Sequence, residues 1–460
     1  MTPADLIRLG VPLGRPVRRA NDFIANYCLK GLDRSRIEDE IRSILAKPTA
    51  YAEDPLRGSF ARSLLKPRPA LKDPPADYQQ WGSDLDPQSV QQMEQACRLP
   101  VAVAGALMPD AHIGYGLPIG GVLATHNAVI PYAVGVDIAC RMKMTVLDLP
   151  VRRIESRADR LISAIESETG FGIGASFSDR RQHPVMDADW SITPITRELK
   201  DKAWSQLGTS GSGNHFVEFG TLEITAPDLT LPPGLYLALL SHSGSRGTGA
   251  AICNHYSKLA VQLHPDLPHE ISRLAWLDLD SEPGQEYWNA MELMGQYAAA
   301  NHAVIHQSIA ANLGAEVLLD VENHHNFAWK EHHFGQDVIV HRKGATPAST
   351  GTLGIIPGSM AAPGFLVRGK GNPLSLQSAS HGAGRCMSRT QATKKFSWKN
   401  VHTYLQKQGV RLISAGLDEV PMAYKDIHTV MAAQTDLIEP LAQFNPRLVK
   451  MAPAGERPED

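Results

Sequence analysis

The chain has 460 residues, 43% hydrophobic and 20% charged, with a formal net charge of −3; this supports a sizeable core, excludes a largely disordered chain, and leaves any nucleic-acid contact to a local groove instead of a global basic field. The five cysteines, Cys28, Cys97, Cys140, Cys253 and Cys386, are odd in number, widely spaced and without a CxxC pair, which argues for a reducing compartment and against a disulfide framework. No signal-peptide core opens the sequence and no segment reaches the ~18 consecutive apolar residues of a spanning helix, so the expectation is a soluble cytoplasmic protein away from membranes.

In chain order, residues 1–85 read as an N-terminal extension. Arg34 to Leu45 carries charges and apolar residues at helical spacing. Lys47 to Asp77 is rich in proline, lysine and arginine and reads as an extended arm. Residues 86–460 read as one catalytic domain of mixed α/β (α+β) type. Ser89 to Cys97 predicts a short helix. Leu99 to Leu107 predicts a buried strand running into Met108-Pro109-Asp110-Ala111-His112. Arg153 to Glu168 and Tyr287 to Leu313 predict helices, the second long, alanine-rich and central. Leu235 to Leu240 and Val317 to Val321 predict short buried strands, each ending in a histidine-bearing loop, where ligand sites gather in open α/β folds.

Five constellations carry chemistry. In residues 135–141, Asp137 and Cys140 converge on a metal if the segment turns. Thiolate plus carboxylate suits Zn²⁺, Mn²⁺, Fe²⁺ or Co²⁺, although a buried cysteine beside a turn aspartate gives the same pattern. Residues 208–218 place small residues ahead of Asn214, His215 and Glu218, as in a phosphate-approaching loop with a metal ligand at its end, or a flexible connection. Residues 241–247 put His242 at a strand end beside hydroxyls and Arg246, or cap a helix through Ser243 or Ser245. His324 and His325 point to different sides, so one of them at most joins a shared site. Finally, His341-Arg342-Lys343-Gly344 and Pro357-Gly358-Ser359 fit contacts to polyphosphate or RNA backbone, or, for the first, a solvated charge run. No GxxxxGK[ST] loop occurs. The stretch from Ser378 to Arg385 adds a histidine, His381, among residues too small to bury it. Such a histidine can serve as a nucleophile on a backbone able to approach phosphate closely.

Taken together, these motifs resemble the RtcB family of RNA-splicing and repair ligases. The likeness runs from about Met108 to Lys450 through residues 108–121, 135–140, 211–218, 241–247, 324–326, 341–345, 356–360 and 380–389. The resemblance implies an RtcB-like fold with central β-sheets around a dinuclear metal site. It implies an enzyme that joins RNA 3′-phosphate or 2′,3′-cyclic phosphate ends to 5′-hydroxyl ends in RNA repair or tRNA splicing, with GTP and two Mn²⁺ ions and room for an activating helper protein. It assigns His381 to a covalent guanylyl intermediate, Asp137, Cys140, His215, His242 and His325 to the metals, and Asn214, Glu218, Ala383, Gly384 and Lys450 to the nucleotide. His325 is preferred to His324 because it directly precedes Asn326.

Two departures stand out. The family's Gly-Cys-Gly reads Ala139-Cys140-Arg141, so Arg141 is expected to bring bulk and charge to the metals and to affect substrate choice or rate. The family's final Lys-Gly reads Lys450-Met451. Two further readings are a metal-dependent phosphodiesterase or cyclic-phosphate hydrolase that no longer ligates, and a non-catalytic RNA-end binder.

Overall fold

A computed structural model describes residues 2–65, 71–227 and 229–456. The chain divides into two compact units: Met1–Leu71 with Pro265–Leu267, and Lys72–His264 with Pro268–Asp460.

The first unit is helical, with helices Pro3–Arg8, Arg15–Leu29, Ile37–Ala46, Pro48–Tyr51 and Gly58–Leu64. Val17, Ala20, Phe23 and Tyr27 recur at three- and four-residue spacing and meet Leu6, Ile41, Ile44 and Phe60 in a core of their own. The extended arm expected over Lys47 to Asp77 is therefore corrected. Pro48 opens a helix at a position that needs no N–H, and Phe60 and Ala61 are core residues. Residues 66–70 of that stretch lie outside the described residues. The boundary falls at Leu71 instead of residue 85, because Tyr78–Gln80 pairs in parallel with the strand Ala102–His112 of the second unit.

The second unit is built on two main sheets. One has five strands, ordered Tyr78–Gln80, Ala102–His112, Ile119–Thr125, Gln336–Lys343 and Asn326–His333. The other has eight, in which Ile438–Met451, Phe216–Ile224, Gly234–Ser243 and Arg141–Leu147 follow one another and Val317–His324 forms the edge. Side-chain alternation sets the two faces of the larger sheet. Met142, Met144, Val146, Ala238 and Leu240 share one core, while Leu147, Leu237 and Leu239 share another with Ile305 and Ile309 of the long helix Glu282–Leu313. That helix starts at Ser281, whose side chain accepts from Gly284 N, and stops at Gly314 in the left-handed conformation. Each predicted element of this unit is found, but the strand expected to be buried over Val317 to Val321 is an edge strand with Val317 and Leu318 exposed, His242 lies inside Gly234–Ser243 instead of in a loop beyond it, and two boundaries change. The helix from Arg153 is broken into Arg153–Ser156 and Ala158–Glu168, and the strand from Leu99 begins at Ala102 and continues through Asp110 to His112.

Candidate active site

Strand alternation explains how the candidate ligands meet. His242 has the parity of Ala238 and Leu240, and Cys140, just ahead of the strand Arg141–Leu147, has the parity of Met142 and Met144. Both therefore face the same side of the large sheet. The turn asked of residues 135–140 is present, with Cys140 N donating to Asp137 O at 3.2 Å. His215 ends the glycine-rich loop ahead of Phe216–Ile224, and His325 sits just past Val317–His324.

The resulting cluster is tight and buried. Cys140 Sγ lies 3.1 Å from His242 Nε2 and 3.4 Å from His215 Nε2. His215 Nε2 is 3.0 Å from Asp137 Oδ2, and His242 Nε2 is 3.1 Å from His325 Nε2. The five residues form two three-residue groups sharing Cys140: Asp137, Cys140 and His215, and Cys140, His242 and His325. His324 turns the other way and packs on Phe327 and Trp329.

Electrostatics favours cations here. His242 Nδ1 donates to Asn214 O at 3.0 Å, which leaves its Nε2 lone pair aimed into the cluster. Burial, reinforced by His215, pushes the His242 pKa down to about 3. Burial and then the neighbouring histidines hold His325 well below the usual histidine range. Its Nδ1 is buried with no hydrogen-bond partner. Imidazoles and a thiol, joined in one group by a carboxylate, converge within 4.8 Å in each group and form a donor set that fits transition-metal ions. A shared thiolate suits a pair of them.

His381 follows the short strand Ser378–Ser380, which pairs with Ala345–Pro347. Its ring centroid is 5.0 Å from that of His325. Its partner is Asp110, to which no motif in the sequence assigns a role. Asp110 Oδ2 accepts from His381 Nδ1 at 2.7 Å, His381 N at 3.2 Å and Gly382 N at 3.3 Å. Burial would raise the Asp110 pKa, but the hydrogen bond from His381 outweighs it and the pKa is lowered. A fully buried carboxylate accepting from Nδ1 leaves the His381 lone pair on Nε2. An acidic residue inside a buried strand was the available signal in the sequence.

These groups line a cavity of about 1000 Å³ in the second unit. Asn214, Glu218, Ala383, Gly384, Pro357, Gly358 and Ser359 line it too. Gly384 is required as glycine: it has φ +72°, and a Cβ there would lie 2.1 Å from Asp110 O. Burial raises the Glu218 pKa well above the carboxylate range. Lys343, Arg385 and Arg389 bring positive charge to the wall. Burial pushes the Lys343 pKa down to about 8, and its Nζ donates to Tyr115 O at 2.5 Å and Tyr132 O at 3.1 Å. Buried Glu419 holds both arginines. The run from His341 to Lys343 is thus no solvated charge run: His341 Nε2 accepts from Ile130 N, and Arg342 pairs with Glu331.

The loop carrying Asn214 and His215 is held from behind. Asn301 of the long helix accepts from Gly208 N at 2.7 Å and donates to Thr209 O at 2.9 Å. Arg246 Nε donates to Thr209 Oγ1 at 3.0 Å. Ser245, at the start of Arg246–Leu263, makes no side-chain cap; its hydroxyl donates to Ile138 O at 2.6 Å and so steadies the Asp137 turn.

Two expectations meet a different geometry. Arg141 does not face the thiol–imidazole cluster. It is one residue out of phase with Cys140, 5% exposed, and its guanidinium donates to Glu322 at 3.2 Å and Gly295 O at 2.9 Å. Lys450 lies on the opposite face of its strand from Val449 and Met451, which line the cavity, and its Nζ meets Glu166 at 3.0 Å.

A family model described as tRNA-splicing ligase RtcB matches residues 92–192 and 186–451. RNA-splicing ligase RtcB of Escherichia coli K12 is 35% identical over 400 residues, covering 79% of this chain and 94% of the relative. The tRNA-splicing ligase RtcB of Methanococcus maripaludis is 30% identical over 436 residues, covering 78% and 89%. An RNA-splicing ligase RtcB homolog of Entamoeba histolytica is 29% identical over 416 residues, covering 74% and 79%.

Proposed function

The chain belongs to the RtcB family, and from that premise we propose that it is a GTP- and Mn²⁺-dependent ligase that joins RNA 3′-phosphate or 2′,3′-cyclic phosphate ends to 5′-hydroxyl ends. The observation that carries this reading is the pairing of buried Asp110 with His381 Nδ1 at 2.7 Å beside the thiol–imidazole cluster. That pairing prepares an imidazole to attack, which hydrolysis at a metal pair would not require.

Asp137, Cys140, His215, His242 and His325 would hold two Mn²⁺ ions, which when bound supply charge neutralisation for phosphoryl oxygens. His381 Nε2 attacks the α-phosphorus of GTP; a P–N bond forms and pyrophosphate leaves. Asp110 stabilises the positive charge that grows on the ring, and its three accepted hydrogen bonds fix ring and backbone together. An RNA 3′-phosphate oxygen then attacks the same phosphorus, the P–N bond breaks, and the GMP is left on the RNA end. The 5′-hydroxyl attacks the 3′-phosphorus, GMP departs, and a phosphodiester remains. Cyclic ends are first opened by water.

Glu218 and Asn214, with the loop of Ala383 and Gly384, would contact the nucleotide, and Arg385, Arg389 and Lys343 the phosphates. A thiol ligand at Cys140 requires reducing surroundings, which fits the cytoplasm, and no helix among the described residues is long and apolar enough to cross a membrane. The test is ligation itself: an RNA ending in 3′-phosphate and one starting with 5′-hydroxyl, incubated with the protein, GTP and Mn²⁺, should give a joined product. Opening of cyclic ends without joining would favour the hydrolase.

A further inference from the structure

Among the described residues, Tyr115 is the one large aromatic on the cavity lining that the chemistry above does not use and that stands mostly in solvent. It is 60% exposed, next to Ile113 at 47%, on the turn between the strands Ala102–His112 and Ile119–Thr125. An aromatic ring left in water on a loop is ordinary when the loop is loose. This loop is pinned at three points. Gln92 brackets Gly114, donating to its O at 2.7 Å and accepting from its N at 3.1 Å. Lys343 Nζ donates to Tyr115 O. Gly116, with φ +76°, packs so closely that a Cβ would lie 3.3 Å from Arg273 O.

The ring's surroundings are specific as well. The guanidinium of exposed Arg273 lies 4.4 Å from the Tyr115 ring centroid and 5.4 Å from that of Tyr132. One face of Tyr115 is thus taken by a cation, and its high exposure leaves ring surface open. The link to the nucleophile is short. Lys343, which holds Tyr115 O, precedes Gly344, where a Cβ would lie 3.1 Å from His381 Cε1. With Arg273 already lying over the ring, the ring surface that remains open suits a flat, neutral group.

We propose that Tyr115, backed by Arg273, is a stacking platform for a nucleobase of the RNA end being joined. It is a binding residue that receives a base near the opening while the phosphate chemistry proceeds at His381. The proposal rests on the RNA-ligase reading. A rigidly held π-face on a cationic backing accepts any base, so the platform confers end capture without sequence preference.

The test uses the full chain and two short single-stranded RNAs, one with 2-aminopurine beside a 3′-phosphate and one with 2-aminopurine as the first nucleotide after a 5′-hydroxyl. Binding of at least one probe to wild type should quench its fluorescence. Tyr115→Ala should weaken that binding about ten-fold or more and remove the quench, while Tyr115→Phe, which keeps the ring, should retain both. If wild type binds and Tyr115→Ala matches it on both probes, this inference is overturned and the ligase reading stands. Equal loss in Tyr115→Ala and Tyr115→Phe also overturns it, since only the fold would then be at stake. If wild type binds neither probe, the ligase reading falls and takes the platform with it.

Discussion

Replacing Asp110 by asparagine isolates what the buried carboxylate does for His381. The two side chains are nearly isosteric, and asparagine keeps one oxygen able to accept from His381 Nδ1, His381 N and Gly382 N, now 2.7, 3.2 and 3.3 Å from Oδ2. What disappears is the charge. A hydrogen bond to a charged partner contributes about 1.5–3 kcal/mol against about 1 kcal/mol for a neutral one, and the demand rises as the imidazole turns cationic during attack. The difference is about 0.5–2 kcal/mol in the transition state, or roughly 2- to 30-fold in rate. The assay is formation of covalent label from α-labelled GTP in Mn²⁺, with bound metal quantified in parallel. The loss should fall in the rate constant and spare the GTP concentration for half-maximal rate, because Asp110 holds the histidine instead of the nucleotide. Asp110→Asn that labels within two-fold of wild type, with its metal intact, would refute this account of the pair.

Cys140 belongs to both ligand groups, so Cys140→Ser should drop bound manganese from about two ions per chain to one or none by elemental analysis; retention of both would contradict a shared thiolate. Arg141→Met should cost about 1–3 kcal/mol of stability through the lost bonds to Glu322 and Gly295, and Lys450→Ala little. Neither should change the labelling rate per bound metal, and a ten-fold slowing in either would show that the residue reaches the cavity after all. Glu218 has its pKa raised by burial in the folded state, so its protonation contributes stability that is present below the unfolded carboxylate value and fades as pH rises toward the folded one. A guanine edge offers N–H donors and needs the carboxylate. GTP affinity should therefore rise with pH through that window and binding should release a proton, detectable by calorimetry in buffers of different ionisation enthalpy; a flat profile with no proton release would exclude Glu218 as the base contact.

Short-range pattern made much of the second unit legible. Strands announced themselves as apolar runs, and the histidine-bearing segments at Ser241 and Asn323 could be seen at their ends, although the run at Val317 turned out to be an exposed edge. Long-range register stayed hidden. That Arg141 turns from the candidate ligand cluster follows from its being one residue past Cys140 on a strand, yet this depends on the strand start and its pairing with Ser243 and His324. Asp110 escaped notice because its partner lies 271 residues away. The misreading of residues 47–64 has a different cause: proline and arginine density suggested an arm, but Pro48 stands where a helix tolerates it, and Phe60 had a core to enter.

The central claim is that His381 becomes covalently guanylylated. The most direct measurement is mass spectrometry and label retention on the intact chain after incubation with α-labelled GTP and Mn²⁺. One GMP is expected on the wild-type chain, on the peptide containing His381, stable to alkali and released by acid, and none on His381→Ala that still binds its metals. Label persisting in His381→Ala, or wild type that ligates RNA without ever carrying GMP, would contradict it.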